Sequence, residues 1–406
     1  MKKLISLILS CVLISAIIFT GCGQSAAPAS NAPEEKPAAA SAASAASEAA
    51  SAASAASEAT SAASEAASET ASAAASSAAE ITGDFEPRTF TIATCYAEVE
   101  LGYKYFKWFA DYVTEHTGGA AQFDIYPGGT LAKSVEEVYL VQDGGADFTA
   151  PRPLEYETLM PFVNAVSTAM GSDVREAVEI LDYFLYEDPV TSASIKAESE
   201  RNNYVMLGSC MPAGIALFVS TKPFTTIDDF KDGKSMFGGG KAYYDLLGIA
   251  HTNMTPGEGY EALQRGVIDG FDMNINAITA LKWYEVAKYM APDGCAGSAS
   301  PIICNLDTWN SLSEDYHQVM REGQLYATEQ TIKLVEDEQE RQLKELTDNG
   351  VTLIDLPQED KDAFKEAYFV SDVMGSRARA AEQGFSDEME KVIAAVADHY
   401  GLPVPE

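Results

Sequence analysis

This chain is poor in the residues from which most enzymes and metal sites are built. Only four histidines occur in 406 residues, at His116, His251, His317 and His399, and no HExxH pair or G-x-S-x-G elbow accompanies them. A Ser-His-Asp triad needs a positioned histidine, and a zinc hydrolase needs its paired ligands, so neither chemistry has a foothold here. Six cysteines are present without a CxxC or Cys/His spacing, which argues against a zinc site. Basic side chains are scarce too: 27 against 61 acidic ones, a formal net charge of −34. Residues 1–83 hold three of the basic and seven of the acidic groups, which leaves 24 and 54, a balance of −30, on the remainder. Such a body repels nucleic acid phosphates and anionic head groups, and it makes for a well-hydrated surface. A glycosidase-type carboxylate pair stays open, because so many acids allow many pairs.

What is present begins with an export signal. Lys2 and Lys3 precede an apolar run over residues 4–19, too short for a comfortable membrane span. The run ends in Phe19-Thr20-Gly21-Cys22, which resembles a bacterial lipoprotein signal. That resemblance implies cleavage after residue 21 and acylation of Cys22, holding the chain to the outer face of the cytoplasmic membrane; a plain signal peptide or an anchor is the alternative. Residues 24–80 follow in an Ala/Ser cadence with no bulky apolar face, so residues 22–84 are read as a tether. Cys95, Cys210, Cys295 and Cys304 then belong to the body, where Cys295 and Cys304 bracket a small loop and can pair, with free buried thiols the alternative.

The body alternates strand and helix. Residues 88–94 (RTFTIAT), 122–126 (QFDIY) and 146–149 read as strands, separated by helices over 101–117 and 134–142. This βαβαβ order predicts an α/β domain with a parallel sheet, whose strand-end loops carry Tyr96, Glu98 and Arg152. Helices over 172–186 and 189–201 lead to strands over 204–209 and 216–220, which can cross to a second lobe. The triple glycine at 238–240 lacks P-loop spacing and reads as a cleft turn. Thr255, Pro256 and Glu258 form a capping signature ahead of Tyr260, Leu263 and Val267, which fall on one helical face up to Gly266. Residues 280–289 are amphipathic, 313–348 form a long charged helix, 351–356 a last strand, and two helices finish the chain.

In that order the landmarks become recognisable. IYPGGTLAKSVEEVYLVQDGGADF (125–148), TKPFTTIDDFKDGKSM (221–236) and above all YEALQRGVIDG (260–270), followed by Trp283-Tyr284-Glu285-Val286, resemble the dicarboxylate-type solute-binding proteins of tripartite ATP-independent periplasmic (TRAP) transporters over residues 88–400. The resemblance implies a two-lobed, flytrap-like α/β fold over residues 85–406, with lobe I at about 88–210 plus C-terminal segments and lobe II at about 211–310. It implies capture of a small organic solute, delivery to a small and a large membrane subunit for ion-coupled uptake, no catalysis and no cofactor. A receptor for an ATP-driven importer or a sensor kinase would share the lobes, and an exported hydrolase is the rival of a different kind.

The departures from the family bear on the solute. The family's carboxylate-pairing arginine falls on Met236 when aligned from Asp229, or on Phe237 when aligned from Gly233, and no arginine lies between Arg201 and Arg265. Arg152 is the replacement on offer, anchoring an anionic group from the first lobe. Alternatively the solute carries little negative charge and meets Tyr96, Met236, Phe237, Phe271 and Met273, with Glu98 or Asp272 facing a cationic or hydroxyl group. Asp272 could also hold a bridging cation. Asn274 stands in the run that replaces the family's usual sequence after Gly270. The binding set expected from sequence is therefore Tyr96, Glu98, Arg152, Met236, Phe237, Phe271, Asp272 and Asn274.

Overall fold

The computed structural model describes Gly83 and residues 85–167, 171, 173–212, 214–231, 236–238, 243–292 and 299–405. The predicted signal, Cys22, the tether apart from Gly83, Gly239 and Gly240 of the predicted cleft turn, and Cys295 lie outside the described residues. The body opens with the predicted alternation: β1 (Arg88–Ala93), α1 (Leu101–His116), β2 (Ala121–Tyr126), α2 (Glu137–Gln142) and β3 (Phe148–Thr149). β1 lies parallel to both β2 and β3, Ile92 facing Ile125 on one side and Phe148 on the other. Three helices follow, α3 (Pro161–Ser167), α4 (Val174–Asp182) and α5 (Pro189–Arg201), and then β4 (Tyr204–Pro212). Asp173 and Asp188 cap α4 and α5 by accepting from backbone N–H groups of the first turn.

The second lobe holds β5 (Ala216–Ser220), β6 (Met236–Gly238), α6 (Tyr243–Leu247), β7 (Ala250–Thr252), α7 (Pro256–Gln264), β8 (Gly270–Asn274), α8 (Ile275–Ala280) and β9 (Tyr289–Pro292). The chain then returns through β10 (Ala299–Asn305) and α9 (Leu306–Asn310) to α10 (Glu314–Asp348), β11 (Thr352–Leu353), α11 (Gln358–Gln383) and α12 (Ser386–Tyr400). Two mixed sheets result, β2-β1-β3-β10-β4 and β11-β9-β5-β8-β6-β7. The fold is thus the expected two-lobed α/β arrangement.

Each sheet is buried on both faces. In the first, Phe90, Ile92 and Phe148 meet α1 and the start of α10, while Val138, Phe162 and Phe184 pack with α12 on the other side. In the second, alternation along β5 sends Leu217 and Val219 to the core around Trp283, and Phe218 to an aromatic cluster with Phe230, Phe237 and Phe364. Phe218 and Phe237 stack at 4.4 Å, a contact adding about 0.5–1.5 kcal/mol beyond the area it buries.

Two helices span the lobes. α10 runs from Val319 and Met320 in the first-lobe core to Leu346 in the second, its 35 residues covering roughly 50 Å. It is tied to β4 where Gln324 Nε2 and Thr328 Oγ1 both donate to the Ser209 carbonyl at 2.6 Å. Gly208 is required there: its φ is +142°, and a Cβ would meet the Gln324 amide at 2.6 Å. α11 likewise carries Phe364 into the second-lobe core and Phe369 and Val373 into the first.

Three expectations change. The second lobe does not extend to about residue 310, because β10 pairs with β4 and β3 and so belongs to the first sheet. The amphipathic stretch over 280–289 is interrupted: Lys282 takes a left-handed φ of +53°, a single 3₁₀ turn covers Trp283–Glu285, and β9 begins at Tyr289. Val267 is exposed rather than on the packed face, since α7 stops at Gln264 and Gly266 turns the chain with φ +67°. The capping box itself is formed, with Thr255 and Glu258 bonding each other's backbone. Cys95 and Cys304 are free thiols.

Candidate functional site

The strand directions locate the cleft. β1 and β3 run toward the end at which β4 leaves for β5 and β10 enters from β9, so their carboxyl ends face the crossover. In the second sheet, Ala216 pairs with Asn274 and Leu217 with Pro292, which puts the ends of β8 and β9 at the same crossover. The two sheets thus present strand ends to one interlobe gap, the position where open α/β sheets hold ligands. A cavity of about 130 Å³ marks its edge, walled by Leu101 of α1, Gly214 of the crossover, Asn276 of α8, and Glu338 and Gln342 of α10.

The first-lobe wall brings together several of the residues expected from sequence. Tyr96 lies flat on Gly102, where a Cβ would come within 2.1 Å of its ring. Burial pushes its hydroxyl well up, against a smaller opposing pull from Arg152. The Arg152 guanidinium, roughly half exposed, pairs with Glu155 at 2.5 Å and donates to Ser134 Oγ at 2.6 Å. Glu98 is exposed on the loop that follows β1. One residue missed by sequence reasoning stands among them: Glu137, at the start of α2, only 2% exposed and beside Cys95, Thr149 and Arg152. Burial raises its carboxyl to about 7, with the Cys95 backbone N–H the largest opposing influence. The signal for it was its spacing from Val141, which puts a carboxylate on the buried stripe of a short helix.

The second-lobe candidates are spread out. Phe237 is fully buried in the aromatic cluster, and Phe271 sets its ring edge-on to Trp283 at 5.0 Å. Asp272 is 3% exposed and accepts a hydrogen bond from the Tyr243 hydroxyl, to which Tyr368 donates at 3.1 Å, so it links β8 to α6 and α11. Asn274 Nδ2 donates to the Gly214 carbonyl at 2.7 Å and its Oδ1 caps α8 by accepting from the Asn276 N–H, so it braces the crossover itself. Met236 is exposed at the opposite end of β6, next to Asp269. Met273 packs in the core around Trp283. Among the described residues, no cluster of three His, Cys, Asp or Glu side chains is arranged to hold a metal, and no helix is long and apolar enough to cross a membrane.

Residues 92–370 match the bacterial extracellular solute-binding proteins, family 7. The chain belongs to that family. Among family 7 relatives, the C4-dicarboxylate-binding periplasmic protein of Rhodobacter capsulatus is 24% identical over 287 residues, 67% of this chain and 82% of its own length. The ectoine-binding periplasmic protein TeaA of Halomonas elongata is 25% identical over 265 residues, 64% of this chain and 76% of its own. A TRAP periplasmic solute-binding protein of Sulfitobacter sp., crystallised with bound β-D-galacturonate, superposes with a TM-score of 0.54 at 21% identity, covering 76% of this chain and 99% of that one. Family 7 proteins are extracellular solute-binding proteins, and this chain is an extracytoplasmic receptor that captures a small organic solute for a TRAP transporter.

Proposed function

We propose that the body closes over one small organic solute in the interlobe gap, without altering it chemically, while a lipid on Cys22 holds it to the membrane through the tether over residues 22–84. Relatives that bind dicarboxylates, ectoine and galacturonate support a polar solute of comparable size. The observation that carries the reading is the meeting of two sets of strand ends at one crossover, with α10 and α11 the only helices described that enter both cores. Two lobes joined in this way rotate about few residues, and a solute that touches both favours the closed form.

Tyr96, Glu98 and Arg152 form the first-lobe contacts of this reading, and Asn274 is its second-lobe contact at the crossover. Arg152 keeps N–H groups beyond those used by Glu155 and Ser134, enough to meet an anionic oxygen. A thermal-shift screen of dicarboxylates, sugar acids, keto acids, amino acids and polyols tests the reading, since a ligand of the folded state raises its melting temperature. One class should stabilise the body, and Arg152→Ala should weaken that binding; a flat screen contradicts the proposal. Lipid attachment is checked by mass spectrometry of the membrane-extracted protein, where Cys22→Ser should release the chain.

A further inference from the structure

A cavity of about 390 Å³ lies away from the interlobe gap. It sits where β4 begins, at Tyr204–Met206, whereas the chain leaves for the second lobe beyond Pro212 at the other end of that strand. Its floor is apolar and buried, made by Leu185, Ile195 and Met206. Its rim is exposed to solvent and comes from two helices, Ala193 and Lys196 of α5 and Arg321 of α10. The chain between α4 and α5 enters the wall as a π-helical turn, Tyr183–Glu187, whose Tyr186 hydroxyl donates to the Met206 carbonyl at 3.2 Å. Such turns are rare and recur at functional sites. The volume falls in the range of small-molecule sites.

Arg321 is the odd cation of α10. Lys333, Arg341 and Lys344 each pair with an acid about one turn away. The residues three and four positions from Arg321 are His317, Gln318, Gln324 and Leu325, none of them acidic. Among the described residues no carboxylate pairs with it. Its guanidinium lies instead 5.6 Å from the centre of the Trp309 ring, a cation–π contact that holds it at the cavity. Lys196 adds positive charge to the rim, shared with Glu200 at 3.8 Å. On so acidic a body, an arginine without an acid partner beside an open apolar cavity is available to an anion from outside.

We propose that this cavity is a second ligand site, for a monocarboxylic acid with an apolar chain or ring. The carboxylate meets the Arg321 guanidinium, whose planar fork suits two parallel hydrogen bonds, and the carbon body lies against Leu185, Ile195 and Met206. A small inorganic anion would leave the apolar floor wet. A neutral hydrocarbon would leave Arg321 unused. A dicarboxylate would carry its second charge onto the apolar floor or toward Glu200, at a desolvation or repulsion cost. The ligand class therefore differs from the polar solute of the cleft, and the site does not depend on that reading.

The test is calorimetry on the intact body with butyrate, hexanoate and octanoate, and with octanol and octylammonium as head-group controls. Octanoate should bind at one molecule per chain, with affinity rising about fourfold for each methylene buried, and both controls should bind more weakly. Arg321→Ala should weaken octanoate about tenfold, the effect of losing one charge-assisted hydrogen bond. Ala193→Trp, a change at an exposed rim position of α5, should block octanoate while the melting temperature stays near that of the wild type. Arg152→Ala, in the cleft, should leave octanoate binding as it is. The site is overturned if octanoate shows no saturable binding, if octanol binds as well as octanoate, or if Arg152→Ala abolishes the binding. It is equally overturned if Arg321→Ala and Ala193→Trp both bind octanoate like the wild type.

Discussion

At the residue scale, buried carboxyls give this body a pH dependence opposite in sign to that of salt-bridged acids. Glu198 is fully buried and accepts from the N–H groups of Phe162 at 2.7 Å and Val163 at 3.5 Å, so it holds the start of α3 from α5. Burial dominates and raises its carboxyl to about 8. In the unfolded chain it ionises near its ordinary value of 4.5, so the stability from the protonated native form is fully present below that. It is lost as pH rises from there through about 8, and Glu137 contributes in the same direction up to about 7. Melting temperature followed across that window should therefore fall for the wild type, and Glu198→Gln should flatten the slope. Identical slopes for the two would remove Glu198 as the cause. Gly102 makes a second prediction. Its substitution by Ala puts a methyl into the Tyr96 ring, so solute affinity should drop with only a modest loss of stability, read by calorimetry and melting side by side.

At the element scale, legibility followed how local each signal was. α5 was readable to the residue because Asp188 caps it, Pro189 starts it and Asn202 follows its end. The capping box of α7 was equally plain, and Thr255→Ala should cost about 1 kcal/mol, seen as a lower melting temperature and faster amide exchange in that helix. Less local features stayed hidden. Residues 280–289 carry a helix-like apolar pattern, yet the left-handed turn at Lys282 breaks it, and no residue type there announces that conformation. β10 was not read as a strand at all, and its stretch was assigned to the second lobe; its pairing with β3 and β4 places it in the first sheet. Glu137 was overlooked because acids near a helix start are ordinary, and burial on the α2 stripe depends on what packs above it.

For the whole molecule, two lobes with separate cores are joined by the β4–β5 and β9–β10 crossovers and by α10 and α11. The family and its two-lobed fold were legible because the landmarks at 125–148, 221–236 and 260–270 lie in order along the chain. The site was only half legible. Alternation along β8 shows that Phe271 and Asp272 point to opposite faces, but not that Trp283 covers one and Tyr243 meets the other. The crossover is braced by Asn274 on Gly214 and by Gln342 Nε2, which donates to Asn276 Oδ1 at 2.7 Å. Gln342→Ala removes the brace between α10 and α8, so it should shift the open–closed balance and change solute affinity without touching the first-lobe wall. The most direct test of the account is small-angle scattering of the body with and without the strongest stabilising solute from the screen, paired with calorimetry. The account predicts one solute per chain and a smaller radius of gyration on binding. Binding with no compaction, or at more than one site per chain, would contradict it.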